Sequence, residues 1–154
     1  MKNLTVRMIF ILAVLNILAA CAATATRHFW EIPTPDLDYP AMIRDDPRHG
    51  TAVVYNSLFC EQDAAACGFF RAHAHAHSAL VHPILPPTGY PASQIAAADC
   101  WAARNSSPEE VVAAVEYLEN ENREPALAIV GDASERAKNI RACAQKAGNW
   151  TGGE

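Results

Sequence analysis

Four histidines fall within ten residues of this chain, at His73, His75, His77 and His82. Their spacing suits metal coordination. On a helix, residues four apart share a face, so His73 and His77 present two ring nitrogens to one ion. His75 points about 200° round the same helix from His73, at about 100° per residue; seven residues separate it from His82, which gives those two a common face. On a strand, period two would instead align His73, His75 and His77 as a three-imidazole site for copper, nickel or zinc. Helix is the better reading, because alanine fills the positions between the histidines and is the strongest helix former and a poor strand former. The run extends from Phe69 to about Val81, before Pro83 stops it. A lone H-x-x-x-H is more often a pair of solvated or core histidines than a pair of ligands, so the spacing needs support from elsewhere in the chain.

The elements that must position these residues are mostly helical. Pro33, Pro35, Pro40 and Pro47 break up residues 21–50, which read as a tether and an irregular lead-in. Thr51 to Leu58 then offers Val53, Val54 and Tyr55 in a strand. After the histidine helix, Pro83, Pro86, Pro87, Gly89 and Pro91 make a loop, and a second helix runs from about Ala92 to Arg104. Ser107, Pro108 and Glu110 have the spacing of a capping box with proline at the first helical position; Val111, Val115 and Leu118 follow on one face. Asp132 and Glu135 repeat the device for a last helix, with Ile140, Cys143 and Ala147 at core spacing and a stop near Gly148. Trp101 reads as core, and Glu109, Glu110, Glu116, Glu119, Glu121 and Glu124 as a solvated face. The expected fold is mainly α, in the α+β class: a small helical domain with a short strand or small sheet over residues 51–154.

Lys2 and Arg7 precede an apolar stretch, Met8 to Ala20, that is short for a bilayer span and closes on Leu18-Ala19-Ala20-Cys21. Residues 1–20 read as a signal peptide. The four closing residues resemble the lipobox of bacterial lipoproteins, which implies lipidation at Cys21 and, with Ala22 next, an outer-membrane anchor facing the periplasm. Ordinary secretion with cleavage near Ala23 or Ala25 is the plainer alternative, and a short uncleaved anchor another. Removing residues 1–20 leaves ten basic against seventeen acidic side chains, a net charge of about −7. Nucleic acid is excluded as a partner on that balance, and the membrane is met through the lipid rather than through charge. With Cys21 lipidated, Cys60, Cys67, Cys100 and Cys143 remain in an oxidising compartment. Three pairings are open; Cys60 with Cys67 and Cys100 with Cys143 is preferred, one closing a short loop and the other joining two helices.

The segment Phe69-Phe70-Arg71-Ala72-His73-Ala74-His75-Ala76-His77-Ser78-Ala79-Leu80-Val81-His82 resembles the active-site helix of small zinc metallopeptidases of the gluzincin type, A-H-E-x-x-H followed by h-x-L-x-H. Ala98-Asp99-Cys100-Trp101-Ala102-Ala103-Arg104 resembles their second helix, where E-x-x-A-D is followed by a small or aromatic run. The resemblance covers about a third of the mature chain directly, and the helix ending Arg141-Ala142-Cys143 more weakly. It implies a zincin-like domain with His73 and His77 as zinc ligands and Asp99 as the aspartate that steadies a ligand histidine. Two positions depart from the pattern: Ala74 stands where the general base belongs and Ile95 where the third ligand belongs. A methyl group takes no proton and a butyl group binds no cation. General-base catalysis contributes about 10²- to 10⁴-fold in rate, so its loss cripples hydrolysis even where metal binds.

The leading reading is therefore a lipid-anchored, metallopeptidase-like pseudoenzyme that keeps a two-histidine zinc site and binds a protein or peptide partner. A second is an active metallohydrolase with a relocated carboxylate, Glu61, Asp63 or Asp99, the last as a substitute ligand. A third is a non-catalytic periplasmic metal-binding protein using His73, His75, His77 and His82. The bland alternative is a structural lipoprotein, in which Asp99 is a solvated or helix-capping acid.

Overall fold

Two strands form in the stretch that the sequence leaves irregular. They are β1, Trp30–Pro33, and β2, Ala41–Asp46, and both flank β3, Gly50–Tyr55, in the order β1-β3-β2. β1 runs parallel to β3 and β2 antiparallel to it. Their concealment in the sequence has a physical cause. β1 and β2 are edge strands, which tolerate proline at an end and need little apolar pattern, whereas central β3 carries the buried run Ala52-Val53-Val54. The structure, a computed structural model, describes residues 29–84, 89–120 and 127–153. The expected signal peptide, Cys21, Glu121 and Glu124 lie outside the described residues.

Asp46 organises the β2–β3 hairpin by accepting the backbone N–H groups of Arg48 and His49, and Gly50 takes the left-handed φ of +72° that closes it. The strand expected to reach Leu58 ends at Tyr55. Asn56 stops it by capping α1, Ser57–Gln62, its Oδ1 accepting from Phe59 N while its amide donates to Leu37 O.

The histidine helix, α2, spans Ala64–Ala79 and begins five residues before the expected start, because Asp63 caps it through Ala66 N. Its end is not set by Pro83. Val81 N donates to Ser78 O and His82 N to His77 O, the Schellman pattern, with Val81 at φ +57° in the place where glycine is usual. α3 is Ala92–Asn105. α4, Pro108–Glu119, carries the expected capping box, Ser107 Oγ accepting from Glu110 N and Glu110 answering to Ser107 N. α5 is Ala133–Ala147, capped by Asp132. Its core face is Arg136, Ala137, Ile140 and Ala144; Ala147, expected inside, is exposed.

α2 is central to the packing, against β2 and β3 on one side and α3 and α4 on the other, with α5 closing over α3 and α4. Phe59, Phe69, Phe70, Val111, Val115 and Ile140 fill the helical core, and a second small cluster joins Ala74 to Ile43 and Val53 of the sheet. Disulfides Cys60–Cys67 and Cys100–Cys143 tie α1 to α2 and α3 to α5. The chain is thus a mainly α, α+β domain with a small three-stranded sheet and two disulfides. Among the described residues, no helix is long and apolar enough to cross a membrane.

Candidate functional site

Helical spacing delivers the expected pair. Nε2 of His73 and Nε2 of His77 face each other at 3.2 Å on one side of α2. Two imidazoles bound at about 2.0–2.1 Å to one tetrahedral ion stand about 3.3 Å apart, so the separation of the two nitrogens equals that of a ligand pair as well as that of an N–H···N hydrogen bond. His77 is buried and His73 nearly so.

The other nitrogen of His73 is held from behind. Its Nδ1 lies 2.7 Å from Oδ1 of Asp99, which is fully buried on α3. Arg136 of α5 forks onto the same carboxylate, Nη2 to Oδ1 at 2.7 Å and Nε to Oδ2 at 3.0 Å, and gives Nη1 to Val130 O. Arg136 Nη2 also stands 3.4 Å from His73 Nδ1. With the shorter bond going from Nδ1–H to Asp99, those two nitrogens are neighbouring donors to one oxygen rather than partners. Asp99 is therefore neither the solvated acid of the bland reading nor turned toward the nitrogens that His73 and His77 share. Burial pushes its carboxyl up, but His73 and the Arg136 guanidinium outweigh burial and hold it below the usual range. Burial pushes His73 down despite Asp99, leaving the ring neutral with Nδ1 protonated and Nε2 free.

Ala74 and Ile95 line the same cavity as His73 and His77, together with Met42 of β2 and Tyr90. His73, His77, Ala74 and Ile95 thus converge on one space from two helices. That space is about 40 Å³, room for a few waters rather than for a side chain. Ala74 is buried against Ile43 and Val53, and buried Ile95 lies where a side chain at Gly131 would pack, so both residues serve packing.

Sequence reasoning misses two participants, Arg136 and Tyr90, and misplaces His82. The sequence signal for Arg136, a positive charge one turn after the α5 cap, is too common to single it out. Tyr90 stacks on His77 with ring centroids 3.7 Å apart; its hydroxyl is buried without a hydrogen-bond partner among the described residues and is raised to about 12 by burial. His82 does not share a site with His75 as helical spacing suggests, because the helix ends first; its Nδ1 lies 3.0 Å from Nδ1 of His77. His75 instead packs between Phe29 and half-buried Trp101, which is therefore less of a core residue than expected.

His77 is pushed down to about 3, chiefly by burial and then by His73 and His82. One tautomer set satisfies the metal-free chain: His82 Nδ1–H donates to His77 Nδ1, His77 Nε2–H to His73 Nε2, and His73 Nδ1–H to Asp99. Neither Glu61 nor Asp63 lines the cavity. Asp63 is committed to the α2 cap ten residues before His73, about 15 Å along the helix. Among the described residues, no group of three or more His, Cys, Asp or Glu side chains converges to hold a metal. No protein-family model, curated protein or solved structure matches the chain.

Proposed function

We propose that this chain is a lipid-anchored, periplasm-facing domain with a metallopeptidase-like scaffold and without hydrolytic machinery, which binds a divalent transition-metal ion, zinc first, through His73 and His77. The observation that carries the reading is the convergence of His73, His77, Ala74 and Ile95 on one cavity, with Asp99 on the far nitrogen of His73. The donor set fits: two neutral imidazoles at ligand spacing, one oriented by a carboxylate in the manner of metal-bound histidines. A bound ion would polarise a water in the remaining coordination positions.

This chain's own residues then decline to use it. Ala74 accepts no proton, Ile95 supplies no third bond, and the carboxylate that reaches His73 among the described residues, Asp99, is consumed by His73 and Arg136. Water activation needs a base within hydrogen-bond reach, and the cavity wall offers apolar carbon where that base would stand. The domain is thereby suited to holding an ion and presenting it to a partner protein or peptide at the membrane surface. The test is zinc affinity of the untagged domain beside peptidase assays on unfolded protein substrates: micromolar or tighter zinc binding that His77→Ala abolishes, with no hydrolysis, is expected. Zinc-dependent cleavage would overturn the non-hydrolytic part, and absence of zinc binding the rest.

A further inference from the structure

His77 has a histidine nitrogen facing each of its own two ring nitrogens, and only the inner of these contacts belongs to the site described above. The outer one pairs Nδ1 of His77 with Nδ1 of His82 at 3.0 Å. This contact follows from the helix terminus. In a Schellman motif the side chains of the residues linked by the six-to-one hydrogen bond meet, and here those residues are His77 and His82. An apolar pair is the common occupant of that contact. Val81, a β-branched residue at φ +57° with 88 % of its surface exposed, makes the turn that sets His82 back on His77.

We propose that His77 and His82 form an outer metal-binding pair, open to solvent through His82, which takes up a divalent transition-metal ion independently of His73. Two imidazoles at about 2.0–2.1 Å from one ion lie about 2.9 Å apart when they subtend a right angle, so the 3.0 Å contact suits adjacent positions of a tetragonal copper(II) or nickel(II) ion. Proton placement favours the outer pair as the receiving side. With Nε2–H of His77 given to His73, the free lone pair of His77 already points outward. Half-buried His82 needs only to carry its proton on Nε2, which moves no buried group. The inner pair, by contrast, opens only when His77 shifts its proton to Nδ1. His77 thus serves one ion at a time, outward or inward.

The test is calorimetric titration with copper(II) of the untagged domain and three variants: His82→Ala, His73→Asn and the double variant. Asn places an amide where Nδ1–H of His73 meets Asp99, which keeps the buried carboxylate partnered. His73→Asn is expected to bind one copper per chain, and adding His82→Ala to weaken that binding at least tenfold. Equal affinity in His73→Asn and the double variant would overturn the outer pair. The pattern also separates this inference from the inner site: binding that survives His82→Ala but not His73→Asn leaves only the inner pair, and the reverse leaves only the outer. Should His73→Asn fail to fold, titration of His82→Ala against the wild-type chain decides: copper binding at least tenfold weaker in His82→Ala is expected, and equal affinity contradicts the proposal.

Discussion

Oδ1 of Asp99 lies 2.7 Å from Nδ1 of His73, on the side of the ring opposite the nitrogen that faces His77. The carboxylate therefore acts on the site through the histidine, fixing its tautomer and aiming its free lone pair. It also neutralises Arg136, so its replacement has two measurable effects. Asp99→Asn should lose about 3–5 kcal/mol of stability, because a guanidinium that is 8 % exposed is left without its counter-charge. The same change should weaken zinc binding about 10- to 100-fold. Denaturant melts and zinc titration check the two separately; an unaltered melt would show that Arg136 finds another partner.

Acid should destabilise the metal-free fold in a defined window. His77 falls from its ordinary 6.5 to about 3 on folding, and His73, His75 and His82 shift the same way, burial being the first cause for each. The unfolded chain thus binds more protons than the folded one between those values. Stability contributed by neutral His77 is fully present above pH 6.5 and is lost as pH falls toward 3, at up to about 1.4 kcal/mol per pH unit for that one group. Denaturation midpoints at pH 7, 6, 5 and 4 should fall, and more gently in His77→Gln. Equal midpoints at pH 7 and 4.5 would contradict the burial of neutral imidazoles.

The two disulfides should differ in weight. Cys100–Cys143 closes a loop across 43 residues and Cys60–Cys67 one across 7. Loop-closure entropy gives about 4 kcal/mol for the first and about 2.5 kcal/mol for the second. Serine pairs at each site, compared by urea denaturation, should rank in that order; a larger loss at Cys60 and Cys67 would mean that native packing, rather than the unfolded chain, sets the balance.

Ala74 and Ile95 admit a constructive test. Ala74→Glu alone should cost about 3–5 kcal/mol, because it buries a carboxylate without a partner and overfills the wall shared with Ile43 and Val53. Combined with Ile95→Glu it should nonetheless bind zinc more tightly than wild type, since three ligands then face one ion. A folded double variant with no gain in zinc affinity would show that the two positions do not stand where the metallopeptidase motif puts them.

Much of this arrangement was legible in residue type and spacing. Alanine between the histidines marks α2, Ser107-Pro108-Glu109-Glu110 marks the start of α4, and the four cysteines pair as their separations favour. What stayed hidden depends on tertiary contact. β1 and β2 are edge strands with weak patterning, so their identity comes from lying beside β3. Arg136 joins Asp99 across 37 residues, and no local signal pairs them. Helical spacing puts His82 on the face of His75 only if the helix runs past Ala79, and the Val81 turn ends it first.

The central claim is that His73 and His77 hold an ion, and equilibrium dialysis of the untagged domain against zinc, followed by elemental analysis, tests it most directly. Close to one zinc per chain in the wild type and none in His77→Ala is the predicted result. Zinc content equal in the two proteins would contradict it, whatever the value, because His77 is the one histidine common to both pairs.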